Sequence, residues 1–265
     1  MFLGKVKIIN QIQVAPGSYQ MTMRAKEVAN AFQPGQFVHI RVSEELIPIL
    51  RRPFSIYRTN KKTGRIEILY KVVGEGTKIL SEKKRGDKLD ILGPLGNGFR
   101  IDKNLDKAIL LGGGMGVAPL LELAVSCHRQ GVNKIIIFLG AKAKVFILGE
   151  KEFKDLGVEV KVATEDGSYG YKGMVTRLFK EEIEKESHPA KNTQLFASGP
   201  PPMLRALARL TFRYHLPAQV SLEARMACGL GVCRGCVVRV KDKKAYYKRV
   251  CKDGPVFDLS EVSWE

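Results

Sequence analysis

Four cysteines near the C-terminus have the spacing Cys228-x4-Cys233-x2-Cys236-x14-Cys251, within a run that reads MACGLGVCRGCVV from residue 226. A C-x4-C-x2-C run followed by a distant fourth cysteine is the spacing of one class of two-iron, two-sulfur cluster, in which four thiolates wrap a compact anionic core. Such wrapping demands sharp turns and close backbone approach, which Gly229, Gly231 and Gly235 are expected to allow. Zinc is the main alternative, but structural zinc sites prefer two knuckles of closely spaced ligands. Here Cys251 stands alone and no histidine lies beyond residue 215. A Cys233/Cys236 redox dithiol would leave the other two cysteines idle. The spacing favours the two-iron cluster over both. Cys127 lies on the apolar face of an expected helix and reads as an ordinary buried residue.

Two glycine-rich stretches carry a second chemistry. LLGGGMGVAPL, from residue 110, follows an apolar strand pattern and precedes a helical one, as a phosphate-binding turn must. From Gly114 it reads G-x-G-x-x-P, with Pro119 near the expected first helical turn. The candidate nucleotide contacts are Gly112, Gly113, Gly114, Gly116 and Pro119. Upstream, RRPFSIY (51–57) is followed by LYKVVGEGT (69–77). Taken singly, Arg52 in the first reads as a surface cation and Gly74 and Gly76 in the second as an ordinary turn, but their joint order along the chain makes those readings improbable.

These stretches need three kinds of support. Residues 1–101 alternate apolar and polar positions in about six short segments, which predicts a six-stranded antiparallel barrel. Residues 102–220 alternate short apolar runs (KAILLGGG, KIIIFLGA, VEVKVATED, NTQLFASGP) with helical patterns at 118–131, 172–186 and 201–215. That predicts a doubly wound α/β domain on a parallel sheet. Residues 221–265 are too few for a robust core, and a metal centre is expected to supply the missing stability.

Composition narrows the function classes. The formal charge of +17 is greatest in residues 1–100, with 18 Lys/Arg against 8 Asp/Glu, but forms no unbroken basic block. It reads as a lysine-rich solvated surface rather than a nucleic-acid footprint. No stretch approaches the roughly 20 apolar residues of a membrane span, and the N-terminus lacks an apolar signal core, so a cytoplasmic protein is expected. In that compartment closely spaced cysteines hold metal or do redox work more often than they form disulfides. His39, His128, His188 and His215 are scattered, and no catalytic triad or carboxylate pair stands out.

An Arg-Pro-x-Ser strand in a small barrel, ahead of a nucleotide-type domain, resembles the ferredoxin-reductase family. With a cysteine cluster added at the C-terminus, the whole chain is most similar to the electron-transfer subunits of NAD-linked, type B dihydroorotate dehydrogenases. The motifs carrying the resemblance are RRPFSIY, ATEDGSYGYKGMVT, EARMACGLGVCRGC and RVCKDGPVF. It implies an FAD site formed by Arg52, Pro53, Phe54, Ser55, Leu69, Tyr70, Lys71, Gly76 and Thr77. GPLGNGF (93–99) looks like the connection leaving the barrel, and ASGPPPML (197–204) like the loop that closes over the nicotinamide, with Ser198, Gly199 and Pro200 as contacts. Many relatives have a cysteine where this chain has Ser198.

The resemblance further implies a [2Fe-2S] cluster on the four cysteines, NAD as substrate, and a partner FMN subunit that oxidises dihydroorotate, two copies of each forming a heterotetramer. Pyrimidine synthesis would be the setting. NAD over NADP rests on the resemblance alone, since GAKAKVF (140–146) offers no acidic partner for a ribose hydroxyl. The rival in the same class is the small subunit of an electron-bifurcating, NADH-dependent ferredoxin:NADP oxidoreductase. CKDGPVF and the compact length favour the dihydroorotate branch.

Overall fold

The computed structural model describes residues 1–185, 192–241 and 246–264; His188, the last residue of the helix expected over 172–186, and Glu265 lie outside them. The N-terminal third is a closed antiparallel barrel of β1 (Phe2–Ala15), β2 (Ser18–Arg24), β3 (Phe37–Arg41), β4 (Arg52–Asn60), β5 (Arg65–Lys71) and β6 (Lys88–Leu95). Around the barrel the order is β1-β2-β5-β4-β3-β6. Strand alternation explains the closure. Val6, Ile8, Met21, Met23, Val38, Ile40, Ile56, Ile66, Ile68 and Ile91 point inward and share one core. Two short helices interrupt the strands, α1 (Lys26–Ala31) and α2 (Glu75–Glu82). α1 has too few turns to show a helical period, and the sequence pattern alone does not reveal it.

The second unit is a seven-stranded sheet flanked by helices. Its chain order is β7 (Lys107–Gly113), α3 (Leu121–Arg129), β8 (Lys134–Ala141), α4 (Glu150–Asp155), β9 (Glu159–Thr164), β10 (Tyr171–Lys172), α5 (Val175–Lys185), β11 (Thr193–Ser198), α6 (Pro201–Arg213) and β12 (Ala218–Ser221). The spatial order is β10-β9-β8-β7-β11-β12, parallel throughout, with β15 (Val256–Asp258) antiparallel at the far edge. β7 is buried along its whole length because both faces are covered. Ile109 and Leu111 serve one core, and Ala108 and Leu110 the other.

Two expectations are corrected. The helix expected from residue 118 begins only at Leu121, and Gly114–Leu120 instead form a 3₁₀ turn with Pro119 inside it. Clustered glycines and a proline without an N–H suit that tighter, shorter geometry. The cysteine segment, with its hairpin of β13 (Val237–Arg239) and β14 (Tyr247–Arg249), does not depend on metal alone. Cys236, Val250, Cys251, Phe257 and Leu259 share a core with β7 and β11, and with Phe37, Leu92 and Leu95 on the outside of the barrel. A segment too small for its own core borrows one by lending a strand to the neighbouring sheet.

Candidate functional site

The flavin motifs, distant in sequence, meet at the start of α2. The Arg52 guanidinium lies so close to Gly76 that a Cβ there would sit 3.0 Å from Nε and 3.2 Å from Nη2. Nη1 donates to the Leu50 carbonyl, which holds the side chain in place. Thr77 shapes the turn. Its Oγ1 accepts from the Val73 and Gly74 amides (2.9 and 3.2 Å) and donates to the Gly74 carbonyl (2.9 Å). A fixed cation beside the amide-rich end of a helix is an anion cradle of the type a pyrophosphate fills.

The remaining FAD candidates divide between the two faces of the barrel wall. Phe54 and Tyr70 turn inward, edge to face at 5.7 Å, and the Tyr70 hydroxyl donates to Gln11 Oε1 (2.8 Å). Their rings stiffen the wall, and burial pushes the Tyr70 phenol above its usual range. Pro53 and Ser55 stay partly exposed on the alternate positions of β4, and Lys71 is exposed. Leu69 is buried with Val117, Ala118 and Leu120 of the 3₁₀ turn, so the flavin strands face the nucleotide turn directly.

The nucleotide candidates converge at the C-terminal ends of β7 and β11, where the chain winds one way to β8 and the other way to β11 and β12. Crevices at such switch points hold ligands in open α/β sheets. Register places Ser198 opposite Gly112. A Cβ on Gly116 would fall 2.1 Å from the Ser198 carbonyl oxygen, and one on Gly113 2.7 Å from Met203 Sδ. Gly199, at φ +157°, leads into Pro200, the cap of α6. The Ser198 hydroxyl is buried and donates to the Ser221 carbonyl (3.2 Å), so it braces β11 against β12. A separate surface cleft, at the N-terminal ends of β7, β11 and β12, contains none of the predicted site residues.

All four predicted cluster cysteines are free thiols, with Cys236 and Cys251 buried, Cys228 half-buried and Cys233 exposed. They fall into two pairs. The Cys233 amide donates to Cys228 Sγ (3.5 Å), joined by Leu230 (3.4 Å), and the Cys251 amide donates to Cys236 Sγ (3.4 Å). Among the described residues no three His, Cys, Asp or Glu side chains close on a single-ion site. Amides aimed at sulfur suit thiolate ligands. The backbone donors bring the Cys228 thiol down to about 6, while burial pushes Cys251 up. Buried Cys127 is also pushed up to about 12 and stands apart.

Gly229 and Gly231 do take left-handed φ values, +69° and +83°. Gly235 does not. A Cβ there would meet only Cys233 Sγ at 3.6 Å, and Arg234 takes the left-handed position instead (φ +54°).

Three residues missed by the sequence reading organise this loop. Arg249 forms a bidentate pair with Asp253 (2.9 Å each) and donates to the Gly231 carbonyl (3.1 Å), tying the Cys251 turn to the Cys228 loop. The R-x-C-x-D run around Cys251 was the available signal. His39, on β3, gave none, because its partner Gly229 is far away in sequence.

Residues 223–263 match the family model described as the iron–sulfur cluster binding domain of dihydroorotate dehydrogenase B. Residues 5–99 match an oxidoreductase FAD-binding domain and residues 110–209 an oxidoreductase NAD-binding domain. The dihydroorotate dehydrogenase B (NAD(+)) electron transfer subunit of Geobacillus thermodenitrificans (strain NG80-2) is 42% identical over 260 residues, 97% of each chain. Its counterpart from Bacillus caldolyticus is 42% identical over 261 residues, again 97% of each. The chain belongs to this family of electron transfer subunits. It is an oxidoreductase subunit with FAD, NAD and iron–sulfur domains. Among solved structures, an NADH-dependent reduced ferredoxin-NADP oxidoreductase studied for flavin-based electron bifurcation is similar. It has 33% identity and a TM-score of 0.86, with 98% of this chain and 90% of that one covered. A ferredoxin NADP+ reductase from Neisseria gonorrhoeae, at 16% identity and TM-score 0.68 over 80% of this chain and 91% of that one, shares the fold. No helix among the described residues is long and apolar enough to cross a membrane.

Proposed function

We propose that this chain passes electron pairs between a partner subunit that oxidises dihydroorotate and NAD+. The overall balance is dihydroorotate plus NAD+ giving orotate, NADH and a proton. The observation that carries the reading is the packing of the barrel on the cysteine segment. His39 on β3 lies under Gly229, next to Cys228, and register sets His39 opposite Pro53 of the flavin motif. The Asn97 side chain further donates to the Lys252 and Asp253 carbonyls (3.2 and 3.1 Å). The strand that carries the flavin candidates and the segment that carries the four cysteines are therefore parts of one packed body.

Cys228, Cys233, Cys236 and Cys251 would hold the [2Fe-2S] cluster, with Arg249 fixing the geometry of their loops. Arg52 and the Gly76–Thr77 amides would hold the FAD pyrophosphate, with Pro53 and Ser55 on the flavin side. Gly112, Gly113, Gly114, Gly116, Pro119, Gly199 and Pro200 would line the nicotinamide crevice. When bound, flavin supplies exchange between two-electron and one-electron steps, the cluster single-electron transfer, and nicotinamide a hydride. The chain therefore needs no acid–base residue of its own and contributes position and electrostatics. The partner is read as an FMN subunit, assembled two and two in the cytoplasm.

Anaerobic copurification with flavin and iron analysis and a dihydroorotate assay tests this. An FMN-containing partner and dihydroorotate-dependent NAD+ reduction are expected. A larger partner rich in four-iron clusters would overturn the reading in favour of a bifurcating reductase.

A further inference from the structure

His39 is fully buried, yet it sits on the outside of the barrel. Its neighbours Val38 and Ile40 fill the barrel core, so alternation turns the imidazole outward, toward the cysteine segment. A Cβ on Gly229 would fall 2.5 Å from Nδ1, which places the ring hard against the backbone beside Cys228. The Arg51 backbone, next to flavin candidate Arg52, also lies close to the ring. Although the Arg51 and Cys228 backbones lie close, neither ring nitrogen forms a hydrogen bond of good geometry. A buried imidazole with both nitrogens unpaired is costly, and such groups in native proteins call for a reason.

We propose that His39 is a positioning residue of the electron path, whose ring ties the first cysteine's loop to the flavin strand and so holds that loop's amides on the cluster sulfur. A leucine of similar bulk would fill the space at lower cost, so packing alone does not account for an imidazole here. The Leu230 and Cys233 amides of that loop donate to Cys228 Sγ, and N–H groups held on cluster sulfur favour the reduced, more negative state and so raise the potential. The ring also limits the approach of the Cys228 loop. Only glycine at 229 combines a φ of +69° with room for the imidazole. The inference rests on the cluster reading above and adds a determinant that lies outside the cysteine motif.

The test uses the full chain purified anaerobically with its cofactors, comparing wild type with His39→Leu, His39→Gln and Gly229→Ala. FAD and iron content are measured first, then the cluster's midpoint potential by EPR-monitored titration and the line shape of the reduced cluster. His39→Leu is expected to shift the potential to more negative values and change the line shape, at wild-type FAD content. His39→Gln, which keeps a polar group able to hydrogen-bond the Arg51 and Cys228 backbones, should move both back toward wild type. Gly229→Ala should shift the potential in the same sense with His39 intact, by driving the ring off its seat.

Wild-type potential and line shape in both His39→Leu and Gly229→Ala would overturn the proposal, as would equal shifts in the Leu and Gln variants. If His39→Leu cannot retain its cluster, retention by His39→Gln supports the assignment and loss in both overturns it. A wild-type protein without a two-iron signal is a separate outcome. It would defeat the cluster reading before any variant is compared.

Discussion

Replacing Gly116 with alanine should separate nicotinamide binding from the other two redox sites. The φ of Gly116 is not in the left-handed region, so alanine can adopt this backbone and the conflict is purely steric. The new methyl would sit 2.1 Å from the Ser198 oxygen, 2.4 Å from its carbonyl carbon and 2.6 Å from the Gly199 nitrogen. All three are backbone atoms at the end of β11, a strand paired on both sides, so the glycine turn must retreat by more than 1 Å to restore ordinary contact of 3.4 Å or more. Overpacking of this kind costs roughly 1–3 kcal/mol. If that cost falls on the closed crevice, NADH affinity drops about 5- to 150-fold, at about 1.4 kcal/mol per decade. The assay is anaerobic reduction of the bound flavin across NADH concentrations, with FAD and iron content checked first. Gly131→Ala is the control. It introduces left-handed strain (φ +80°) where a Cβ meets nothing within 4 Å, and should lower stability without changing the NADH dependence. Unchanged NADH dependence in Gly116→Ala would refute the claim that the Gly116–Ser198 contact shapes the crevice.

Other outcomes follow from the same geometry. Cys233→Ser should abolish the reduced-cluster EPR signal and electron exchange with the partner subunit, while the flavin stays reducible by NADH. Normal dihydroorotate-to-NAD turnover in an intact complex of that variant would sink the role of the cysteines as the link to the partner subunit. Glu122 is buried on α3 and accepts the Thr59 amide at 2.7 Å, and burial raises its carboxyl above the usual range. The folded state thus holds this proton more tightly than the unfolded chain does. Its stabilising contribution is complete in acid and is lost as pH rises through the folded value. Glu122→Gln keeps the acceptor without the buried charge and should raise the thermal midpoint at neutral pH, with the gain vanishing in acid. A midpoint difference independent of pH would contradict this.

Local pattern carried most of the architecture. Period-two alternation marked the barrel strands, and the continuous apolar runs at 108–113 and 135–139 marked strands covered on both faces. The cysteine spacing marked a cluster because ligand geometry is imposed over a short length of chain. Arg52 and Gly76 were legible as separate motifs, but not as neighbours. The inward turn of Phe54 and Tyr70 follows from which face of the barrel wall each occupies, and a motif of consecutive letters does not encode that face. The same holds for Ser198, whose hydroxyl is committed to Ser221 through the pairing of β11 and β12.

What the sequence determined by itself is therefore the order of three cofactor-binding stretches and the residue types able to serve them, since those depend on spacing and composition. Only the tertiary structure decided how the stretches meet. β15 returns to the sheet edge, Cys236 and Cys251 join the core of the nucleotide unit, and His39 is enclosed beneath Gly229. The physical reason is that these contacts join residues as much as 190 positions apart, from His39 to Gly229. Their formation depends on the packing of whole elements, which no local spacing records.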